Sequence, residues 1–465
     1  MRLRRLPTID ITLGIFLFLG IVLEIVFFLG LANKIILGVV FVGLIALTLN
    51  LIIYTIKHVS QLNLAEKAVA FLIFGLLLIN FIPVFTPEVG FDALWYHLPI
   101  IKTIVNQAQI TFIPNLYQSL NPLFAEFYFA TGFAWLGDTG AKLVAYIFGL
   151  FLLLITYRLS RLKLSQLNSL LITFVVAGFQ VVAWQSSSVY VDVAKAFFEL
   201  AGLYFCFKQI SLPQKSLSPK LKWSYLLLAS LFFSASLATK LFSILMLPLF
   251  ILVIVYAFKP KRWQWLALLF LPILALPFYL FAFNHSGNPF YALTIHLNKL
   301  GEIGNEQNLS VYLWYKTLFL PKSLISYITA RDYTWPFGIL FIPLFFIKLK
   351  KIIQDKIMVL MLVFVIFQWL IWWLIPPLST RYALSGFTLL LILGVMVVNQ
   401  YYQRLARPLM YLLALSGLVL MMPRIYTLTK KVPYLVGKQT KQEYLQSFYD
   451  GNIDAKIQSW YGKLN

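Results

Sequence analysis

The chain has 465 residues, of which 61% are hydrophobic and 12% are charged, and its formal net charge is +22. Soluble proteins average about 45–50% apolar and 25% charged residues, so this composition excludes an ordinary soluble domain. The single cysteine, Cys206, rules out an intramolecular disulfide framework. The excess of cations does not indicate nucleic-acid binding, because in a membrane protein basic residues first mark the cytoplasmic loops.

Apolar runs recur along the chain, and most are close to the roughly 20 residues that cross a bilayer. The first run follows a basic start, but it is too long for a signal peptide and lacks a small-residue cleavage site, so we expect it to be retained. The sequence predicts an all-α polytopic membrane protein with about thirteen crossings, at 11–31, 34–56, 66–86, 139–158, 168–185, 190–208, 223–240, 241–258, 262–283, 333–348, 357–376, 381–400 and 405–422.

Lysine and arginine residues between the spans set the predicted orientation. With the N-terminus in the cytoplasm, most cations fall in cytoplasmic loops, provided that the moderately apolar segment 121–137 is juxtamembrane or re-entrant and does not cross. The outer face then carries loops 87–138 and 284–332. We therefore expect a plasma-membrane protein with a transmembrane domain at 1–422 and a short extracytoplasmic tail at 423–465.

The stretch "PEVGFDALWYHLP", residues 87–99, places Glu88, Asp92 and His97 in the first outer loop. A helix beginning at Asp92 would have an apolar face and could lie on the membrane. In the structural alternative Asp92 only caps this helix, and His97 makes a structural hydrogen bond. His285 and His296, in the second outer loop, are a weak metal signal at their spacing.

Charges inside the apolar runs are the other exceptions. Asp192, Lys195 and Glu199 are spaced i, i+3, i+7, which predicts one helical face. They could form an internal ion-pair ladder, although Asp192, at the outer end, is a candidate for function. Lys240 and Arg381 break the positive-inside pattern at span ends, and either contact lipid headgroups or clamp a phosphate.

The first outer loop and the next span, "FDALWYHLPIIKTIVNQAQITFIPNLYQSLNPLFAEFYF" and "GDTGAKLVAYIFGLFLLLITYRLSRL", resemble those of C-type (GT-C) integral-membrane glycosyltransferases. The resemblance is closest to bacterial relatives of protein O-mannosyltransferases and aminoarabinose transferases. It continues through "YVDVAKAFFELAGLYF", "LATKLFS", "SGNPFYAL", "TRYALSGFTLLLILG" and "YLVGKQTKQEYL". The family-like core is about 66–422, and residues 1–65 supply two additional spans.

The resemblance implies a helical bundle whose outer loops form the active site. Such enzymes transfer a sugar from a polyprenyl-phosphate donor to a glycan, lipid or protein acceptor, and inversion is expected. Asp92 takes the place of the family's loop acid and would be the general base, with Glu88 as its rival. Asp192 would orient the acceptor or help to hold a divalent metal, so a metal is left open and no cofactor is certain.

The same resemblance gives the cations a role. The leaving lipid phosphate is anionic, and Arg381 and Lys240 are placed by topology to stabilise it. The remaining residues assigned to substrate binding are Tyr96, His97, Asn288 and Tyr382.

Two other classes of function stay open. In a transporter or flippase, Asp192, Lys195 and Glu199 would line a polar path, although neither inverted repeats nor broken helices are evident. A catalytically silent scaffold would leave the outer acids unexplained. In every case we expect membrane lipids, and no nucleic acid, as partners.

Overall fold

The computed structural model describes residues 7–212, 218–260, 262–295, 314, 316–318, 334, 341–374, 378–448 and 454–461. Within these ranges the regular elements are helices and there is no strand. Nine helices in this part of the chain are long and apolar enough to cross a membrane. The prediction of an all-α polytopic membrane protein is confirmed. The total of thirteen crossings stays a prediction, because part of the predicted span 333–348 lies outside the described residues. Most of the predicted loop 284–332, including His296, also lies outside them.

The N-terminal part contains α1 Thr8–Phe28, α2 Lys34–Val59, α3 Leu64–Phe81, α4 Leu98–Gln107, α5 Phe124–Ser160, α6 Gln166–Gly178, α7 Gln180–Gln185 and α8 Asp192–Ser211. It is followed by α9 Pro219–Thr239, α10 Leu247–Phe258, α11 Leu276–Ser286, α12 Ile342–Ile347, α13 Leu349–Gln354, α14 Lys356–Leu374, α15 Leu384–Tyr401, α16 Gln403–Leu435, α17 Lys441–Gln446 and α18 Asp454–Tyr461. Short 3₁₀ segments extend α3 and lead into α10 and α15, at Ile82–Phe85, Leu241–Met246 and Thr380–Ala383.

The first helix belongs to the packed core of the bundle. Phe16 stacks on Tyr128 of α5 with ring centroids 5.0 Å apart, and the Tyr128 hydroxyl donates to the Phe16 carbonyl at 2.7 Å. Near the start of α1, the buried carboxylate of Asp10 accepts hydrogen bonds from Lys208 and Tyr204 of α8. Helix α1 is therefore packed into the same bundle as α5 and α8.

A sharp bend at Gly137 divides α5. Its φ of 58° and ψ of −143° fall in a region that only glycine adopts readily. Gly132 and Gly140 meet across the bend, because a Cβ added to Gly132 would lie 2.2 Å from the Gly140 carbonyl oxygen. The segment 121–137 is thus set off from the following helix at the predicted boundary. Its position relative to the membrane stays a prediction.

Helix α8 is enclosed by protein. Its residues from Asp192 to Gln209 are all buried, and it packs against α9, α5, α10 and α15. A helix that does not face lipid can carry charged side chains at positions where they meet partners. The charges that looked exceptional in the sequence therefore lie at the centre of the bundle.

Two predicted spans are not continuous helices. In 168–185 the chain breaks at Phe179, whose φ of −52° and ψ of 124° separate α6 from α7. In 262–283 a 3₁₀ segment, Arg262–Phe270, is followed by a turn before α11 begins. Pro272 and Pro277 lack the N–H that an unbroken helix would need there.

Helix α16 continues past the end of the predicted span 405–422. It runs for 33 residues to Leu435 and contains Pro423 in its interior. The chain then folds back through α17, and α18 packs near the first outer loop, where Tyr461 bonds to Glu88. The tail is therefore in contact with the segment that carries the candidate acids.

Membrane orientation can be tested by cysteine labelling in a Cys206→Ser background. Because 124–136 is predicted not to cross and 138–160 to cross, cysteines at the exposed positions Gln107 and Arg161 should label from opposite sides with a membrane-impermeant maleimide. A cysteine at the exposed Gln61, in a predicted cytoplasmic loop, is the control and should label with Arg161. Labelling of Gln107 and Arg161 from one side would show that 124–136 crosses.

Candidate active site

Four charged side chains from distant parts of the sequence meet in one cluster. Arg381 binds Asp92, with 2.9 Å between its Nη1 and the carboxylate. Lys240 contacts Asp192 directly, and Arg381 Nε lies 3.8 Å from the second oxygen of Asp192. The structure therefore brings together the two acids and the two cations that the sequence analysis selected separately.

Each member of the cluster stands at the end of a helical element. Asp92 precedes the π-helical turn Ala93–His97, and Asp192 is the first residue of α8. Lys240 has an extended backbone that ends α9, and Arg381 lies in the 3₁₀ segment before α15. Interruptions between helices thus place all four side chains at one level of the bundle.

The two carboxylates have different environments. The side chain of Asp192 is 2% exposed, whereas that of Asp92 is 17% exposed. Gln185 donates to Asp192 at 2.9 Å and accepts from the backbone N–H of Val193 at 3.2 Å, which fixes the amide. Asp192 is therefore a buried, fully partnered acid, and Asp92 is the accessible one.

Asp92 does not cap the helix that follows it. The cap position lacks a side-chain hydrogen bond, and the carboxylate turns instead to Arg381. The structure therefore does not support the structural alternative in which Asp92 serves only as a helix cap. The first turn of that helix is also wider than predicted, because residues Ala93–His97 form a π-helical turn before α4 begins.

Tyrosine rings surround the cations. Lys240 lies 4.1 Å and Arg381 5.0 Å from the ring centroid of Tyr382, within cation–π range. The Tyr190 ring lies 5.5 Å from the Arg381 guanidinium, and its hydroxyl accepts from the backbone N–H of Asp92 at 3.1 Å. These rings limit where the two cations can move.

Tyr96 and His97 are neighbours in the π-helical turn that follows Asp92. Burial and the nearby Asp92 carboxylate raise the pKa of Tyr96 well above its usual value, so its hydroxyl stays protonated and can donate. His97 is buried and its Nδ1 lies 2.8 Å from a carboxylate oxygen of Glu126. His97 is thus held by Glu126 behind the loop, in line with the expected structural hydrogen bond.

Glu88 has a different role from Asp92. One of its carboxylate oxygens accepts from the N–H groups of Val89 and Gly90 and from Ser188, at 2.7–2.9 Å. The other accepts from the N–H of Val189 at 3.0 Å. The carboxylate is buried and joins the first outer loop to the loop before α8.

Two further predicted features have their hydrogen-bond and ion-pair partners outside the cluster of four charged residues. Asn288 accepts from the N–H of Phe290 at 2.9 Å and forms a turn after α11. Lys195 pairs with Glu199 at 2.8 Å rather than with Asp192, and Glu199 also accepts from Gln368 and Ser385. The predicted ion-pair ladder of Asp192, Lys195 and Glu199 is therefore split. Lys195 and Glu199 belong to a separate polar network with Gln368 and Ser385.

The residues present do not fit a divalent metal. Within the described ranges there is no group of three or more His, Cys, Asp or Glu side chains that could hold an ion. Lys240 and Gln185 contact Asp192, and Arg381 engages Asp92. Cations therefore already engage both oxygens of Asp192 and one oxygen of Asp92, which a metal would need as ligands.

Several contributing residues were missed by the sequence analysis. Gln185 and Glu126 bond to the side chains of Asp192 and His97, and Tyr190 and Tyr461 accept from the backbone N–H groups of Asp92 and Glu88. None of the four has a recognisable spacing from the selected residues. The polar run "QSSSVY", residues 185–190, was the available signal. It marks the loop before α8, from which Ser188 contacts the carboxylate of Glu88 and Tyr190 contacts the backbone N–H of Asp92.

No family model and no curated protein matches the sequence. Among solved structures, the chain is similar to ArnT from Cupriavidus metallidurans in the apo state, with a TM-score of 0.53 and 13% identity over 86% of this chain and 78% of ArnT. For ArnT bound to undecaprenyl phosphate the TM-score is 0.52, with 12% identity over 85% of this chain and 78% of ArnT. The chain has the GT-C fold, as the resemblance predicted.

The burial of Asp192 predicts that its charge is needed for stability. Asp192→Asn would leave Lys240 and Arg381 without their buried counter-charge, which should lower the free energy of unfolding by about 3–5 kcal/mol. The matched control is Lys163→Gln, which removes the partner of Asp355 in a pair whose lysine is 38% exposed. That change should cost less than about 1 kcal/mol. Unfolding in detergent measures both, and equal losses would contradict the prediction.

Proposed function

We propose that this chain, which has the GT-C fold, is a membrane glycosyltransferase that uses a polyprenyl-phosphate sugar donor. The observation that carries the proposal is the meeting of an accessible carboxylate, Asp92, with Arg381 and Lys240 in one cluster. The structure of ArnT with undecaprenyl phosphate supports a donor of this lipid class. The acceptor would be a glycan, a lipid or a protein at the extracytoplasmic face.

The cations would stabilise the leaving phosphate. Arg381 uses Nη1 for Asp92 and Nη2 for Tyr382, whereas its Nε is buried and has no hydrogen-bond partner among the described residues. A guanidinium can donate to phosphate through more than one N–H, and Lys240 supplies a second charge. As the sugar leaves, negative charge grows on the phosphate, so these contacts strengthen in the transition state.

We assign the general base to Asp92 rather than to Glu88. The Glu88 carboxylate is buried and engaged by three N–H groups and a hydroxyl, whereas Asp92 is partly exposed. An acceptor hydroxyl would pass its proton to Asp92 as its oxygen forms a bond to the anomeric carbon. The bond between that carbon and the phosphate oxygen breaks, and its electron pair leaves with the phosphate. Attack opposite the leaving group inverts the anomeric configuration.

The ion pair between Asp92 and Arg381 would order the steps. Arg381 Nη1 lies 2.9 Å from a carboxylate oxygen of Asp92 and so occupies an oxygen that could otherwise accept a proton. The donor phosphate competes with Asp92 for Arg381, so donor binding would release the carboxylate toward the acceptor. Asp92 would therefore become an effective base only after the donor is in place.

The proposed orientation follows from the loops. The cluster would face outward, with the N-terminus in the cytoplasm of a plasma-membrane protein and the C-terminus outside. Residues 1–422 would form the catalytic membrane domain, and 423–465 an extracytoplasmic tail. Within this proposal Tyr96, His97, Tyr382 and Asn288 are substrate-binding or positioning residues, and Asp192 holds the cations.

Substitution of the base gives the first functional test. Asp92→Asn should reduce release of undecaprenyl phosphate from undecaprenyl-phosphate monosaccharides, in membranes that supply the acceptor, by at least about 100-fold, because general-base catalysis contributes that much. The protein should still accumulate in the membrane.

The rival base provides the comparison. Glu88→Gln should lower stability, because it weakens the joint between two outer loops, but should keep transfer per folded molecule within a few-fold of wild type. Full activity of Asp92→Asn would remove Asp92 as base, and loss only in Glu88→Gln would transfer the role. Flux of the lipid-linked sugar across proteoliposomes without transfer would favour the transporter instead.

Substitution of the phosphate ligand gives the second test. Arg381→Gln should weaken binding of undecaprenyl phosphate by roughly 10- to 100-fold, the loss expected for a charge-assisted hydrogen bond. The matched control is Arg404→Gln, an exposed arginine at the opposite end of the bundle. Equilibrium binding of the radiolabelled lipid measures both variants. Equal affinities would show that Arg381 does not hold the phosphate.

A further inference from the structure

A second basic site lies beside the first outer loop. A cavity of about 280 Å³ is bounded by the segment Pro87–Gly90, the end of α7 and the outer part of α16. Four cations line it, and Glu88 is its one carboxylate within the described residues; the cations are Lys142, Arg424, Lys430 and Lys431. Such an excess of positive charge around a concave space favours an anionic ligand.

The Glu88 carboxylate does not neutralise the positive charge that a ligand in the cavity would meet. Glu88 directs its oxygens to backbone N–H groups and to Ser188, as described above. Lys142 donates to the carbonyls of Pro83 and Thr86 and so fixes the backbone on one side of the cavity. Lys430 is exposed, stands 4.8 Å from the Tyr426 ring centroid, and makes no ion pair with a described residue. It is the cation best placed to meet an incoming anion.

This cavity is separate from the cluster proposed for sugar transfer. Asp92, Asp192, Lys240 and Arg381 do not line it. The two sites share two chain segments: the one that contains Glu88 and Gly90, whose neighbour Asp92 belongs to the cluster, and the loop before α8, whose Ser188 lines the cavity. A ligand in the cavity would therefore contact the back of the segment that presents the proposed base.

The surroundings indicate that the ligand carries a hydrocarbon part. On α16, among and next to the cavity residues, Met422, Ile425 and Tyr426 are exposed, by 68%, 46% and 61%. Phe85, at the end of the extension of α3, is also exposed. In a membrane protein, apolar side chains exposed next to a basic cavity mark the boundary between lipid tails and headgroups.

We infer that this cavity binds the phosphate headgroup of an anionic membrane lipid, at a site distinct from that of the sugar donor. Lys430 and the cationic wall would hold the phosphate, and the exposed face of α16 would contact the tails. The inference goes beyond the proposed function and does not depend on it, because binding can be measured without sugar transfer.

Native mass spectrometry of the purified full chain tests the inference, with phosphatidic acid, phosphatidylcholine of the same chain length, and inorganic phosphate as probes. Phosphatidic acid should bind and phosphatidylcholine should not. Lys430→Gln should weaken binding of phosphatidic acid about fivefold, as expected for one cation near a lipid phosphate. Thr427→Trp, which fills the cavity without removing a charge, should cause a loss at least as large.

The controls separate this site from the donor site. Lys438→Gln removes an exposed lysine that does not line the cavity and should bind phosphatidic acid like wild type. Arg381→Gln should also leave this binding unchanged, whatever its effect on undecaprenyl phosphate. Equal losses in Lys430→Gln and Lys438→Gln, or equal binding of the two lipids, would overturn the inference. Displacement of phosphatidic acid by an equal concentration of inorganic phosphate would assign the cavity to a free anion and reject the lipid.

Discussion

The ion pairs of the buried Asp192 carboxylate are the interaction on which one end of the bundle depends. A charge in this position is tolerated only with close partners, and the chain supplies Lys240 from the end of α9 and Arg381 from the turn before α15. The two carboxylate oxygens of Asp192 thereby connect α8, the end of α9 and the turn before α15. Arg381 then extends to Asp92, so the position of the accessible acid is set by the buried one.

Enclosure of α8 allows this arrangement. Helices at the surface of the bundle, such as α2 with Ile35 and Val39, expose large apolar side chains, whereas α8 has protein on every side. Polar groups can therefore be placed along α8 at successive depths. The Asp192 cluster lies at one end, the Glu199 network is farther along, and the pair of Lys208 with Asp10 lies near the other end.

The sequence predicted the fold class and the exceptional charges, because hydropathy and loop charge are local properties. It also located Asp92, Asp192, Lys240 and Arg381 one by one, as acids or cations out of place. It did not predict that Lys195 would pair with Glu199, or that Asp192 would pair with Lys240, 48 residues along the chain. The spacing of charges identifies one face of a helix, but it does not identify the helix that packs against that face. Breaks at Phe179 and before α11 were missed for a related reason: apolar composition continues through them.

The pairing of Asp10 with Lys208 bears on how the chain is assembled. The two residues are 198 positions apart, and at 5–20 residues per second the ribosome needs roughly 10–40 s to make the intervening segment. During that interval α1 carries a carboxyl group whose final partner does not yet exist. Helix α1 therefore reaches its final environment only after α8 has been inserted, so a helix that is synthesised well before α8 completes its contacts only once α8 is in place.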